Sequence, residues 1–144
     1  MKMTQMKSTL CTAAVCLGGW LSRLYGGWSA ALGALICCMV ADYITGLTVA
    51  GLFHASLKSK QGGLDSRVGW KGLAKKFVTL LIVLVAHQMD VLMATAYIRD
   101  AVIYGFAANE VLSILENAGQ MGLPVPQALR KALDQLDEKP DHIP

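Results

Sequence analysis

Four apolar stretches separated by short polar segments dominate the hydrophobic pattern of the chain. Residues 28–53 carry one formal charge, Asp42, and residues 77–98 form a second long apolar run. Each of these two stretches is long enough to cross a bilayer as a helix, since a span needs about 20 residues. The shorter stretches, residues 9–22 and 101–117, predict two further helices that are less completely apolar.

The composition agrees with a membrane-resident chain. Hydrophobic residues make up 54% of the 144 residues and charged residues only 16%, whereas soluble domains carry about 25% charged residues. We therefore predict an all-α integral membrane protein with a single membrane domain, residues 1–144, and about four transmembrane helices. Three spans are the alternative if residues 9–22 do not cross. A cleaved secretory signal is less favoured there, because Ser22-Arg23-Leu24 offers no small-x-small cleavage site.

A basic loop sets the predicted orientation. Six of the thirteen Lys and Arg residues lie between Lys58 and Lys76. A basic segment can indicate nucleic-acid binding, but the flanking apolar runs favour a topological role, because Lys and Arg near span ends stay on the cytoplasmic side. Residues 54–76 are thus predicted as a cytoplasmic loop, and four spans then place both termini in the cytoplasm.

The segment after the fourth stretch, residues 118–144, is predicted as a cytoplasmic tail. Glycine and proline interrupt it first, and apolar residues then recur at helical spacing between residues 126 and 138. This pattern predicts a short C-terminal amphipathic helix. Its apolar positions are Ala128, Leu129, Ala132, Leu133 and Leu136.

Polar residues inside the apolar stretches are the most informative chemistry. A charged residue at the centre of a membrane helix costs about 2.5–3.5 kcal/mol, so each acid must take up a proton or meet a polar partner. On the third and fourth helices the polar positions recur in steps of three and four, which predicts polar faces. On the third helix, the predicted stripe runs through His87, Asp90, Ala94 and Tyr97. The embedded polar residues that we assign to assembly or pore lining are Asp42, His87, Asp90, Asn109, Glu110, Ser113 and Glu116.

The second helix has a different pattern, in which small residues recur every four positions. Small residues let helix backbones approach closely in lipid. This face predicts helix packing and self-association next to Asp42. Its members are Gly33, Cys37, Ala41 and Thr45, with Gly46 beside them.

Three interpretations of the polar faces remain open from these residues alone. They are a satisfied polar core, a proton or ion relay, or faces that are buried between subunits and wetted when a pore opens. The sequence contains no recognisable catalytic motif, metal-ligand pattern or cofactor loop. We therefore expect no enzyme activity, no metal and no cofactor.

The order of several motifs resembles the phage-lysis and toxin-secretion holins, over about residues 28–135. The first group lies in the second helix, the basic loop and the third helix. The second group gives the last helix a polar stripe followed by a Gly-Pro turn. The residues of the first group are Asp42-Tyr43-Ile44-Thr45-Gly46, Ser56, Ser59, Gly69, Lys71, Gly72, Lys75, Lys76 and Asp90. Those of the second are Asn109-Glu110, Ser113-Ile114, Glu116-Asn117, Gly122, Pro124 and Pro126.

The resemblance implies a small phage or prophage protein of the bacterial inner membrane that oligomerises with copies of itself. Such a protein opens lesions through which an endolysin, or in some relatives a toxin, leaves the cytoplasm. The lipid bilayer and the endolysin are then its partners, the endolysin without required direct binding, and no nucleic acid is involved. The alternatives are a small proton-coupled transporter or ion channel with His87, Asp90 and Glu110 as a relay, and a structural membrane subunit.

Overall fold

The computed structural model describes residues 2–56 and 63–125, together with Gln127 and Lys131. The predicted tail helix, residues 126–138, lies outside the described residues apart from those two positions. Within the described residues the chain is helical and has no β-strand, which confirms the predicted all-α class. The elements are α1 (Lys2–Leu24), α2 (Ala30–Thr48), a π-helical turn (Val49–Phe53), α3 (Ser66–Met93) and α4 (Ile98–Gln120).

Two of the described helical segments are long and apolar enough to cross a membrane, namely Ala30–Phe53 and Ser66–Met93. The prediction of four transmembrane helices is therefore not confirmed. Charged side chains lower the mean hydropathy of both α4 and α1.

α3 begins and ends earlier than the predicted span of residues 77–98. Its first turn is capped by Asp65, whose carboxylate accepts a hydrogen bond from the Arg67 amide at 2.9 Å. It ends at Met93, and the cap residue Ala94 adopts a left-handed conformation with φ of 51°. The predicted stripe is consequently wrong beyond Asp90, because the chain turns at Ala94 and Tyr97 already belongs to the start of α4.

Helices α2, α3 and α4 form a bundle in which α4 packs on both other helices. α2 and α4 run in the same direction, and α3 runs in the opposite direction. We call the end where α2 and α4 finish and α3 starts the basic end, and the opposite end the turn end. The core consists of Leu32, Leu35, Met39, Val83 and Ile103.

The buried residues of α4 are Ile103, Glu110 and Asn117, which lie seven positions apart along the helix. Ile103 contributes to the apolar core, whereas the other two face α2 and α3 with polar groups. One line of α4 thus changes from apolar to polar towards the basic end.

α1 lies outside this bundle and contacts α3. Its side chains from Gln5 to Leu21 are exposed, and Leu10 and Trp20 are 72% and 61% exposed. A membrane would cover these apolar groups, because water would not favour a helix so little buried.

Candidate functional site: an ionic cluster between three helices

Two acids on different helices share one lysine. The ammonium of Lys76 on α3 donates to Oδ2 of Asp42 on α2 at 2.8 Å, and to Oε2 of Glu110 on α4. The side chains of Lys76, Asp42 and Glu110 are only 12%, 14% and 10% exposed. The lysine therefore offsets part of the cost of burying both acids.

Asn117 extends this contact towards the basic end. It is 2% exposed, and its Nδ2 donates to Oδ1 of Asp42 at 3.2 Å and to Oγ1 of Thr45 at 3.0 Å. The Thr45 hydroxyl in turn donates to the Asp42 carbonyl at 3.0 Å. We call Asp42, Thr45, Lys76, Glu110 and Asn117 the ionic cluster. Hydrogen bonds and ion pairs in the cluster join all three helices of the bundle.

A groove of about 870 Å³ connects the ionic cluster with the basic end. It lies between α2, α3 and α4, and residues 63–65 contribute to its mouth. Leu47, Val78, Ile82 and Phe106 make much of its wall apolar. Within the part of the chain that the structure describes, no group of three or more His, Cys, Asp or Glu residues could hold a metal ion.

The residues of the predicted small-residue face of α2 have different surroundings. Gly46 lies against Asn117, so that a Cβ on this glycine would be 3.7 Å from Asn117 Nδ2. Gly33 lies beside the Trp28 ring, at 3.4 Å from the Cβ position. Cys37 is exposed and Ala41 is half-buried. The end of this face nearest the ionic cluster thus packs within the chain.

Asp90 belongs to a separate site at the turn end. Its buried carboxylate accepts hydrogen bonds from the Thr95 hydroxyl at 2.6 Å and from the amides of Tyr97, Ile98 and Arg99 at 2.8–3.1 Å. These amides lie at the start of α4, where helical amides have no partner in their own helix. Asp90 therefore caps α4 from α3, and it does not contact the ionic cluster.

The turn end is also joined by a group of hydrogen bonds that we call the clasp. Arg99 donates from Nη1 to the carbonyls of Tyr25 and Gly26 at 2.9 and 3.3 Å. Gln88 donates to the Leu24 carbonyl at 3.2 Å, and the Tyr25 hydroxyl donates to the Leu80 carbonyl at 3.1 Å. Burial raises the pKa of the Tyr25 phenol, which favours the protonated form that donates this hydrogen bond. The clasp holds the α1–α2 turn on α3 and α4.

The other predicted site residues are less enclosed. Asn109 and Glu116 are exposed on α4, and Ser113 is half-buried in the groove wall. His87 is half-buried beside Gly26. The structure thus brings together Asp42 and Glu110 from the predicted set, and it places Asp90 and His87 at the other end of the bundle.

Lys76 is the main residue that sequence reasoning missed. The sequence predicts Lys75 and Lys76 together as interfacial anchors for the third span. Two features of the sequence could have identified it. The acids in the apolar stretches need a positively charged partner, and Lys76 is the basic residue nearest to an apolar run. Asn117 belongs to the predicted stripe on the last helix, but the pattern did not predict its contact with Asp42.

The fold and the site define a small helical membrane protein whose bundle encloses an ionic cluster. The sequence profile of the bacteriophage holin family matches residues 19–138. The chain belongs to this family.

Relatives in several bacteria and in a phage share most of the chain. An uncharacterized protein of Listeria monocytogenes is 40% identical over 123 residues, which cover 85% of this chain and 82% of the relative. An uncharacterized protein of Halalkalibacterium halodurans is 36% identical, over 91% of this chain and 96% of the relative. A probable holin of Bacillus phage phi105 is 31% identical, over 76% of this chain and 82% of the relative. No solved structure matches the chain.

Proposed function

We propose that this protein assembles with copies of itself in the bacterial inner membrane and opens lesions through which an endolysin leaves the cytoplasm. Membership of the bacteriophage holin family and the similarity to the probable holin of phage phi105 support a holin role. The observation that carries the proposal is the ionic cluster, which places charged groups from α2, α3 and α4 at one shared interface.

The ionic cluster gives the bundle two ways to accommodate its charges. In the isolated chain, Lys76 is paired with Asp42 and Glu110, and the side chains are largely hidden. If the helices separate during assembly, the same groups become exposed, and only contact with water then avoids the cost of bare charges in lipid. Opening of the bundle and entry of water are therefore coupled, as a lesion requires.

The packing also supports a membrane path for α4. Asn117 of α4 contacts Thr45 of α2, and Ile103 of α4 shares the core with Leu32 near the start of α2. α4 therefore accompanies α2 through the same depth. With α1 as a further span, both termini lie in the cytoplasm, on the same side as the α2–α3 connection and the basic first turns of α3.

The relay alternative has less support in the geometry. Asp90 is enclosed by the first amides of α4 at the turn end, whereas Glu110 contacts Lys76 in the ionic cluster. His87 lies beside Gly26. The three residues thus belong to separate contacts and do not form one chain of proton-accepting groups.

The direct experiment is release of a cytoplasmic enzyme from cells in which the protein is induced together with an endolysin that lacks an export signal. Cells with the endolysin alone are the control. We expect abrupt enzyme release after a delay, and clearing of the culture only when both proteins are present. Slow ion leakage without enzyme release, from protein verified in the membrane, would favour the channel or transporter.

The role of the acids is tested by Asp42→Leu and Glu110→Leu, each verified as inserted. We expect a changed onset and extent of lysis, because each variant alters the partners of Lys76. Asp100→Leu is the matched control, since Asp100 pairs with Arg99 at the turn end. Unchanged lysis in both cluster variants would contradict the assigned role.

A further inference from the structure

The basic end of α3 carries an exposed indole next to exposed ammonium groups. Trp70 is 72% exposed, and Lys71 and Lys75 are also exposed. The apolar part of α3 follows at once with Phe77. Tryptophan and lysine favour the headgroup level of a bilayer, where an apolar body and a polar group are both accommodated. This part of α3 therefore lies at the membrane surface.

The groove that leads to the ionic cluster opens at this level. Lys71 and Lys75 line it, and Leu47, Val78 and Ile82 continue it with apolar surface. Its volume of about 870 Å³ lies within the range of small-molecule sites, about 300–1,000 Å³. The groove thus combines a cationic mouth with an apolar interior.

The charged side chains around the groove differ in whether they have a partner. Lys76 is paired with Asp42 and Glu110. Asp65, the acid at the mouth, accepts the Arg67 amide as the cap of α3. Lys71 and Lys75 have no ion-pair partner among the residues that the structure describes. They are four positions apart on one helix, so their ammonium groups can approach the same anion.

We propose that this groove binds an anionic phospholipid. The phosphodiester lies between Lys71 and Lys75, and an acyl chain follows the wall formed by Leu47, Val78 and Ile82. Charge complementarity favours an anionic over a zwitterionic lipid, because a zwitterionic headgroup brings its own cation towards the two lysines. Free phosphate would leave the apolar wall uncovered. This assignment does not depend on lesion formation.

The test is native mass spectrometry of the full-length protein, purified in mild detergent and incubated with equal amounts of phosphatidylglycerol and phosphatidylcholine. We expect retained phosphatidylglycerol in excess. A basic residue near an anionic surface contributes about fivefold in affinity, so Lys71→Gln with Lys75→Gln should lower the preference by about 25-fold. Lys71→Arg with Lys75→Arg should keep it.

Two matched variants separate a seated lipid from general attraction. Lys2→Gln with Lys7→Gln removes the same charge from α1 and should leave the preference unchanged. Ala74→Phe keeps every charge but fills the groove, whose wall includes Ala74, and should lower retention of phosphatidylglycerol. Equal retention of the two lipids by the unmodified protein overturns the proposal. The proposal is also overturned if the α1 variant lowers the lipid preference as much as the glutamine pair does, or if Ala74→Phe retains phosphatidylglycerol fully. The helix content of each variant is verified by circular dichroism, and Ala74→Phe tests the groove even where the glutamine pair does not fold.

Discussion

Lys76 Nζ lies 2.8 Å from Asp42 Oδ2, so a residue at the start of the apolar part of α3 neutralises the acid inside α2. The two residues are 34 positions apart, and the bond therefore depends on the packing of the bundle. Glu110 reaches the same ammonium from α4. Because the Lys76 ammonium contacts acids on α2 and α4, removing the lysine affects all three helices.

Lys76→Met should lower the free energy of unfolding by about 3–5 kcal/mol, because it removes the buried cation that contacts both carboxylates. Unfolding in micelles of detergent and zwitterionic lipid alone, followed by far-ultraviolet circular dichroism, measures the change. The control is Lys75→Met, whose exposed side chain should alter stability by no more than about 0.5 kcal/mol. Equal losses in the two variants would show that the ionic cluster does not stabilise the bundle.

Asp90→Ala should free the first turn of α4, because the carboxylate accepts the amides of Ile98 and Arg99. The free energy of unfolding should fall by about 1–3 kcal/mol. Asp90→Asn should lower it by less than Asp90→Ala. Hydrogen exchange at these two amides should become faster. Asp100→Ala removes a more exposed acid from the same turn and should leave their protection nearly unchanged. Unaltered exchange in Asp90→Ala would contradict the capping role.

Gly26→Ala should be more destabilising than Gly27→Ala. Both glycines have positive φ, 75° and 89°, which costs about 1–2 kcal/mol with a side chain. Only at Gly26 would the new Cβ also meet neighbours, at 2.6 Å from Nδ1 of His87 and 2.9 Å from Nη1 of Arg99. Thermal unfolding of both variants measures the difference. Removing the ring with His87→Ala should recover part of the extra loss, and additive effects in the double variant would exclude the contact.

The path of α1 can be measured by labelling single cysteines in a cysteine-free background. If α1 crosses the membrane, Arg23→Cys reacts with an impermeant maleimide in intact spheroplasts, and Lys2→Cys reacts only after permeabilisation. The expectation follows from the distribution of basic residues. Labelling of Lys2→Cys in intact spheroplasts would instead support the three-span alternative.

The sequence predicted helices from apolar periodicity but not their ends. The segment from Ser66 to Lys76 is polar and basic, which indicated a loop, yet it is helical from the Asp65 cap onwards. Hydropathy reports the depth of a residue in a membrane, whereas a helix also continues through polar residues. Similarly, the sequence did not indicate that the third helix ends before Ala94. Alanine favours helices and rarely adopts the left-handed conformation that it has here.

The candidate site was predicted in part. The cost of a charge in an apolar helix predicted polar partners for Asp42 and Glu110, and the structure places both beside Lys76. Periodicity cannot choose between Lys75 and Lys76, because either one can extend to the membrane surface. Their roles differ only after α2 and α4 pack against α3. Periodicity also does not show which element an acid contacts. Asp90 was therefore grouped with the other acids, although it accepts amides at the start of the next helix.

Because Ile103, Glu110 and Asn117 are spaced seven residues apart, they lie along one line of α4 only if the length of the helix between them is kept. A single inserted or deleted codon between Ile103 and Glu110 would rotate the rest of α4 by about 100°. Glu110 and Asn117 would then point away from Lys76 and Asp42. Homologous proteins should therefore vary freely in the amino acids on the outer surface of α4, while gaps in their alignment should fall in the turns before and after it.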